Sequence, residues 1–137
     1  MPGSFRTQVR VRLSETDALG VVYYGQYLTY FDISRLELLR KAGITLQYLR
    51  RRKLGFVARE STCSYISSAK FDEVLTLKVR VSRIGTSSIV YSHKVERGKV
   101  KIAEGRITDV LVGDHGNPVG IPEDIRERLS RYSARPA

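Results

Sequence analysis

One stretch decides the fold: residues 15–43 read ETDALGVVYYGQYLTYFDISRLELLRKAG. The part from 26 to 42 contains no proline, and Gly43 supplies a C-terminal stop, so we predict a helix over residues 26–42. Polar side chains recur at every third position and drift around the cylinder instead of forming one stripe. A helix that is apolar on most sides is buried on most sides, so we predict that this is the central helix of the domain.

Patterns of period two dominate the rest of the chain. Residues 75–82 alternate apolar and polar side chains and give the clearest strand, and residues 5–13 show the same alternation. The other predicted elements are strands at 56–66, 88–96 and 100–112, a short helix capped by Thr45, and a last helix opened by Pro122. A run of strands after a helix predicts an α+β fold. Its antiparallel sheet must curl around the long helix, because nothing else is apolar enough to cover it.

The composition is that of one globular domain. The chain has 137 residues, of which 42% are apolar and 28% charged. We therefore predict a single domain over residues 1–137 and exclude a disordered or fibrous protein. The single cysteine, Cys63, excludes a disulfide framework. No apolar run approaches the ~18 residues of a membrane span and the N-terminus lacks the apolar core of a signal peptide, so we expect a cytoplasmic protein.

The charge is strongly basic. Lys and Arg number 24 against 14 Asp and Glu, a formal net charge of +10. Such a surface attracts nucleic acid, anionic membranes or a phosphorylated ligand, or serves solubility alone. The aromatic residues fall mostly in the predicted buried helix, whereas readers of single-stranded nucleic acid need them exposed for base stacking. We therefore expect no sequence-specific nucleic-acid partner.

Chemistry is predicted where the long helix starts. Asp17 lies on the preceding loop, and no Ser, Thr, Asp or Asn stands at the likely cap between Tyr23 and Gln26. The first N–H groups of a helix lack internal partners and carry partial positive charge, so with Gly25 beside them they suit polarisation of a carbonyl. In a purely structural alternative, Asp17 caps a turn and Gly20 only permits a positive φ.

The same residues carry a resemblance. The block from Glu15 to Gly43 is similar to the signature of the 4-hydroxybenzoyl-CoA thioesterase family, the hotdog-fold acyl-CoA thioesterases. AKFDE at 69–73, RIGTSS at 83–88 and the Ile-Pro pair at 121–122 resemble later blocks of that family in the same order. Three positions differ, because many members have His at the position of Tyr24 and Asn at that of Gln26, and a Pro is common at that of Ser68.

The resemblance implies a fold, an assembly and a reaction. The fold is the hotdog, an antiparallel sheet wrapped around a long central helix. Two sheets pair edge to edge in a homodimer or homotetramer, with the active sites at the dimer interface. By position, Asp17 matches the catalytic carboxylate, either as nucleophile or as general base, and the N–H of Tyr24 matches the group that polarises the thioester carbonyl.

The predicted ligand is an acyl-CoA, with coenzyme A as part of the substrate and no other cofactor. The predicted substrate-binding residues are Gly20, Tyr23, Gly25, Gln26, Arg83, Ser87 and Ser88, the last three as a turn near the active cleft that offers donors to the coenzyme A phosphates. An acidic acyl carrier protein is the alternative carrier. Further alternatives are a protein that binds acyl-CoA without turnover and a nucleic-acid-binding protein.

Other polar groups have simpler interpretations. Asp32 and Glu37 lie on the long helix, where related hotdog enzymes can place their carboxylate. They are predicted instead to form an interface ion pair with Arg35 or Arg40. The run RRRK at 50–53 is predicted to be a solvated helix end. His93 and His115 stand far apart in the sequence without a neighbouring acidic pattern, so no metal site is expected.

Overall fold

A computed structural model describes residues 3–133 of the chain. The predicted domain of residues 1–137 therefore includes six terminal residues that lie outside the described part. Five strands and three helices follow one another in the order β1 (Phe5–Arg10), α1 (Gln26–Lys41), α2 (Leu46–Arg51), β2 (Gly55–Tyr65), β3 (Val74–Ile84), β4 (Ser88–Arg97), β5 (Val100–Val112) and α3 (Glu123–Ser130). A short 3-10 turn, Leu13–Glu15, precedes α1.

The strands form one antiparallel sheet in the order β1-β3-β4-β5-β2. Along β3 and β4 every second side chain is buried, as period two requires when one face of a sheet is covered. The covered face packs against α1, whose first half meets one core cluster and whose second half meets another together with α3. The predicted α+β architecture, with one sheet around one long helix, is confirmed.

The expected burial of α1 on most sides is wrong. Its buried residues form one face: Tyr27, Tyr30, Phe31, Ser34, Arg35, Leu38 and Leu39. On the other face, Leu28 is 37% exposed and Leu36 is 55% exposed. A single sheet covers only one side of a cylinder, so the apolar residues on the far side of α1 are left exposed by the part of the chain that the structure describes.

The first strand is shorter than predicted. β1 ends at Arg10, and Leu13, expected to continue the apolar face, is 70% exposed in the 3-10 turn. The chain turns here because the Glu15 carboxylate accepts the backbone N–H of Arg12 at 2.9 Å. This turn brings the loop that carries Asp17 back toward α1.

One glycine sets how closely α1 approaches the sheet. A Cβ atom on Gly105 of β5 would lie 2.0 Å from the carbonyl oxygen of Thr62 and 2.9 Å from the Phe31 ring. The Phe31 ring in turn stacks on His93, with ring centroids 4.5 Å apart. The absence of a side chain at Gly105 therefore permits this contact between helix and sheet.

We predict that Gly105→Ala lowers the free energy of unfolding by at least about 3 kcal/mol, because the new methyl group collides with backbone and not with the end of a flexible side chain. Denaturant unfolding measures the loss. Gly55→Ala is the matched control, since a Cβ at this strand position meets nothing within 4 Å, and it should change stability by no more than about 1 kcal/mol. Equal stability of the two variants would contradict the prediction.

Candidate active site

Asp17 sits in a tight turn that its own side chain supports. Its backbone N–H donates to the carbonyl of Val21 at 2.8 Å, and the Gly20 N–H donates to the carbonyl of Asp17 at 3.0 Å. Its Oδ1 atom accepts the N–H of Leu19 at 2.9 Å and, more weakly, that of Val21 at 3.4 Å. Gly20 has φ of +80° and open space around its Cβ position, so the backbone conformation, not crowding, calls for glycine.

This turn matches the alternative in which Asp17 only caps a turn, but the arrangement does not prevent the Asp17 carboxylate from reacting. The side chain is exposed, and Oδ2 accepts no hydrogen bond from the residues that the structure describes. One oxygen therefore fixes the loop while the other is free to attack or to take a proton. The turn also joins the start of α1 directly, because the Tyr23 N–H donates to the Glu15 carbonyl at 2.9 Å.

The start of α1 has the unpaired amides that the sequence predicts. Gly25 occupies the N-cap position, where no side chain accepts a hydrogen bond, and the first turn contains no acidic residue. The Gln26 N–H donates to the Tyr23 carbonyl at 2.9 Å, whereas those of Tyr24 and Gly25 have no acceptor within residues 3–133. Together with the helix dipole, they form a small positive site at the surface.

The role expected for Gly25 needs correction. Gly25 is predicted to bind substrate, but a Cβ on Gly25 would lie 2.6 Å from Cε2 of Tyr23, so the Tyr23 ring already occupies the space beside it. Tyr23 is half exposed and lies against Tyr24, with ring centroids 4.6 Å apart. Substrate atoms that approach the Gly25 backbone from this side must displace the Tyr23 ring.

The sequence reasoning missed the carboxylate of Glu15. Its side chain is only 14% exposed and accepts the Tyr30 hydroxyl at 2.9 Å, besides the Arg12 N–H. The Gln26 side-chain amide, predicted to bind substrate, lies 3.4 Å from Oε2 of Glu15. Burial and this acceptor raise the pKa of Tyr30. Glu15 thus ties the Asp17 loop to α1, a contact across fifteen positions that no local pattern signals.

Tyrosines form one wall beside the helix start. Tyr24 meets Tyr65, at the end of β2, edge to face at 6.3 Å, and Tyr65 lies 5.7 Å from Tyr27. Tyr24 and Tyr65 are exposed, whereas Tyr27 is buried. Burial raises the pKa of Tyr27 to about 12, so its hydroxyl stays protonated at neutral pH.

The predicted phosphate-binding turn lies far from this site within one chain. The Leu111 N–H donates to the backbone carbonyl of Ser87, and the Ile121 N–H donates to the backbone carbonyl of Thr86. Leu111 and Ile121 pack in the core cluster around the second half of α1. Arg83, Ser87 and Ser88 therefore stand near the C-terminal end of a 16-residue helix that is about 24 Å long. The expectation that this turn is near the cleft is wrong within one chain.

The carboxylates of α1 are ion-pair partners, as predicted. Arg35 pairs with Asp32 and Arg40 pairs with Glu37. Arg35 also lies 3.4 Å from Oδ2 of Asp109, which the sequence did not suggest. Burial raises the pKa of Asp109 despite this partner.

The remaining candidates show no reactive arrangement. Burial raises the pKa of the Cys63 thiol, which disfavours the nucleophilic thiolate. Within residues 3–133, no group of three His, Cys, Asp or Glu side chains is placed to hold a metal ion. Nor is any helix in this part of the chain long and apolar enough to cross a membrane.

The family model of the thioesterase-like superfamily matches residues 11–129. The chain belongs to this family. It is 30% identical over 129 residues to the acyl-CoA thioesterase YbgC of Haemophilus influenzae, a match covering 92% of this chain and 94% of that protein. It is 23% identical over 141 residues to a 4-hydroxybenzoyl-CoA thioesterase of Pseudomonas, covering 95% of this chain and all of that protein.

A solved structure leads to the same assignment. A probable thioesterase from Bartonella henselae superposes with a TM-score of 0.82 at 29% identity, covering 87% of this chain and 99% of that one. The hotdog fold and the family resemblance read from the sequence are confirmed, and the protein is a thioester hydrolase.

Proposed function

We propose that this hotdog thioesterase hydrolyses small or medium acyl-CoA or aroyl-CoA thioesters to the free acid and coenzyme A. Asp17 is the essential carboxylate, and the Tyr24 N–H polarises the carbonyl. The observation that carries the proposal is the pair of amides without acceptors at the start of α1, joined directly to the Asp17 loop. The names of the relatives support the substrate class.

The proposed reaction depends on the negative charge that develops on the thioester oxygen. Attack on the thioester carbon places negative charge on the carbonyl oxygen, and a well-placed N–H donor lowers that barrier by about 3 kcal/mol. If Asp17 is the nucleophile, its oxygen bonds to the acyl carbon, the C–S bond breaks, and water then cleaves the mixed anhydride. If it is the general base, it takes a proton from the attacking water. Both routes release the acid and the thiol and return the free carboxylate.

The proposed working form contains at least two copies of the chain, as a homodimer or homotetramer. β2 has 11 residues and stands at one end of the sheet order, so one of its edges has no partner strand among residues 3–133. A free edge of this length is a template for pairing with a second copy. The uncovered Leu28 and Leu36 on α1 also favour a partner, because exposed apolar clusters mark interaction sites.

Antiparallel pairing of two β2 edges also accounts for the distance, within one chain, between the predicted phosphate-binding turn and the start of α1. It places the beginning of one β2 against the end of the other, and the end of β2 carries Tyr65 of the tyrosine wall. The turn with Arg83, Ser87 and Ser88 of one copy then lies at the same end of the assembly as the α1 start of the other. In this arrangement, the phosphate donors and the reacting site come from different copies.

The proposal is tested by trapping the released thiol from a panel of aliphatic and aromatic acyl-CoA substrates, with light scattering to give the oligomeric state. We expect turnover by an oligomer with at least one class of acyl group. Binding of coenzyme A esters without thiol release across the panel would overturn it. Hydrolysis of thioesters on acyl carrier protein is the second candidate, favoured by the net charge of +10; faster release from the carrier than from coenzyme A would establish it.

A further inference from the structure

The face of the sheet that points away from α1 carries aligned cations. Residues directly opposite each other in antiparallel strands point to the same face, with Cβ atoms about 5 Å apart. One such row runs through Arg6, Lys78 and Lys94, and the next through Arg80, Ser92 and Arg106. Arg83 follows opposite Val90. We call the set the outer cationic face: Arg6, Lys78, Arg80, Arg83, Lys94 and Arg106.

Acidic side chains neutralise only part of this face, and most of its cations form no ion pair among the described residues. Lys78 pairs with Glu96 at 2.7 Å, and the other five cations form no ion pair with any carboxylate of residues 3–133. The remaining acidic groups on this face are Glu104, opposite Lys94, and Glu60, opposite Thr108. Arg6 directly opposite Lys78, and Lys78 directly opposite Lys94, are unfavourable neighbours in the isolated protein. An anion bound across the rows would relieve that repulsion.

The side chains between the cations indicate what kind of anion fits. Hydroxyl groups alternate with the charges, including Ser82, Ser92, Thr62 and Thr108, and the described outward positions of the five strands carry no aromatic side chain. Stable protein interfaces centre on aromatic and apolar groups, and membrane-surface binding combines apolar insertion with attraction to anionic lipids. Arg, Lys, Ser and Thr without aromatics are instead the groups that contact phosphodiester backbones.

We propose that the outer cationic face binds the backbone of duplex nucleic acid without reading its sequence. The lack of aromatics disfavours single strands, which are held by stacking. Arg83 is shared with the turn proposed above to bind the coenzyme A phosphates. The other five cations lie across the sheet from α1 and outside the proposed thioester site, so binding through them is independent of thioester hydrolysis. Contacts with about five phosphates give an affinity that falls steeply with salt, with a slope of about −4.5 in log K against log salt.

The test measures binding of a fluorescent 20-base-pair DNA duplex between 50 and 300 mM salt. The face variant is Arg80→Gln/Lys94→Gln/Arg106→Gln. The control variant is Arg50→Gln/Arg51→Gln/Lys53→Gln, which removes the same charge from exposed positions at the end of α2. We expect the face variant to bind about 100-fold more weakly than the wild type at 100 mM salt and to lose about three units of slope, with the control within about threefold.

Equal weakening of the two variants would overturn the proposal, since only net charge would then matter. Binding of anionic lipid vesicles or of an acidic protein by the same face, with no binding of duplex, would also overturn it. Thiol release from acyl-CoA is measured for both variants in parallel. Retained hydrolysis with lost DNA binding supports a separate surface, and loss of hydrolysis in the face variant would show that the two functions are not separate.

Discussion

Asp17→Asn is expected to lower kcat for acyl-CoA hydrolysis by about 10³-fold while the protein stays folded. The amide keeps an oxygen where Oδ1 accepts the N–H groups of Leu19 and Val21, so the turn keeps its shape. What is lost is the second carboxylate oxygen, which either attacks the thioester or takes a proton from water. Thiol-release kinetics measure the rate, and denaturant unfolding should show a change of no more than about 0.5 kcal/mol, as for most surface substitutions.

Glu15→Gln is the matched control for this prediction, because Glu15 lies two residues away and its carboxylate is occupied by Tyr30 and Arg12. Losing a charged acceptor at this site should cost about 2 kcal/mol of stability and leave kcat within about tenfold of the wild type. The catalytic role would move from Asp17 to Glu15 on either of two results. One is wild-type turnover by Asp17→Asn, and the other is a Glu15→Gln variant that is inactive but fully stable.

Oxygen labelling separates the two roles open to Asp17. A single turnover in H₂¹⁸O places the label in the product acid if Asp17 activates water. If Asp17 forms an anhydride and water then attacks the carboxyl carbon of Asp17, the first product carries an unlabelled oxygen from Asp17 and the label remains on the enzyme. The measurement therefore distinguishes general-base catalysis from this nucleophilic route.

The features that could be predicted from the sequence are those that depend on periodicity and on local backbone chemistry, namely the strands and the uncapped helix start. The period of two predicts β3 and β4, and the missing cap at Gly25 predicts unpaired amides at the start of α1. Contacts between positions far apart in the sequence could not be predicted. The Glu15–Tyr30 hydrogen bond and the Tyr23 ring over Gly25 depend on how the loop folds back, which no spacing encodes.

The prediction that Arg83 lies near the cleft was wrong for a different reason. Local pattern identifies a turn between β3 and β4, but only the strand order shows at which end of α1 that turn lies. The burial of α1 was overestimated for a related reason. Composition reveals that Leu28 and Leu36 are apolar but not whether the surface that covers them belongs to the same chain.

His93 lies in a buried polar cluster beneath α1. Its ring stacks on Phe31, and Nδ1 is 3.3 Å from the Ser34 hydroxyl. Nε2 is buried without a hydrogen-bond partner among the residues that the structure describes. Desolvation, with the nearby Arg35 charge, lowers the pKa of His93 from 6.5 to about 3.

This shift predicts a loss of stability in acid. Above pH 6.5, His93 is neutral in both the folded and the unfolded chain and contributes no pH dependence. Between pH 6.5 and 3, the unfolded chain binds a proton that the folded chain does not, so stability falls by about 1.4 kcal/mol per pH unit, about 5 kcal/mol in all. Asp109 acts in the opposite direction, because its raised pKa makes the folded chain the better proton acceptor as the pH falls toward the ordinary value of 3.8.

Comparison with His93→Gln isolates the contribution of the histidine, because Asp109 and Arg35 are unchanged in both proteins. Unfolding free energies measured in denaturant at pH 7, 6, 5 and 4 should diverge between wild type and variant by close to 1.4 kcal/mol per unit below pH 6.5, the variant losing less. Glutamine at a packed site lowers stability at every pH, but a constant loss leaves the difference in slope intact. Parallel curves would mean that His93 takes up its proton inside the fold, and the buried cluster would then have to accommodate two cations, His93 and Arg35, beside the carboxylates of Asp109 and Asp32.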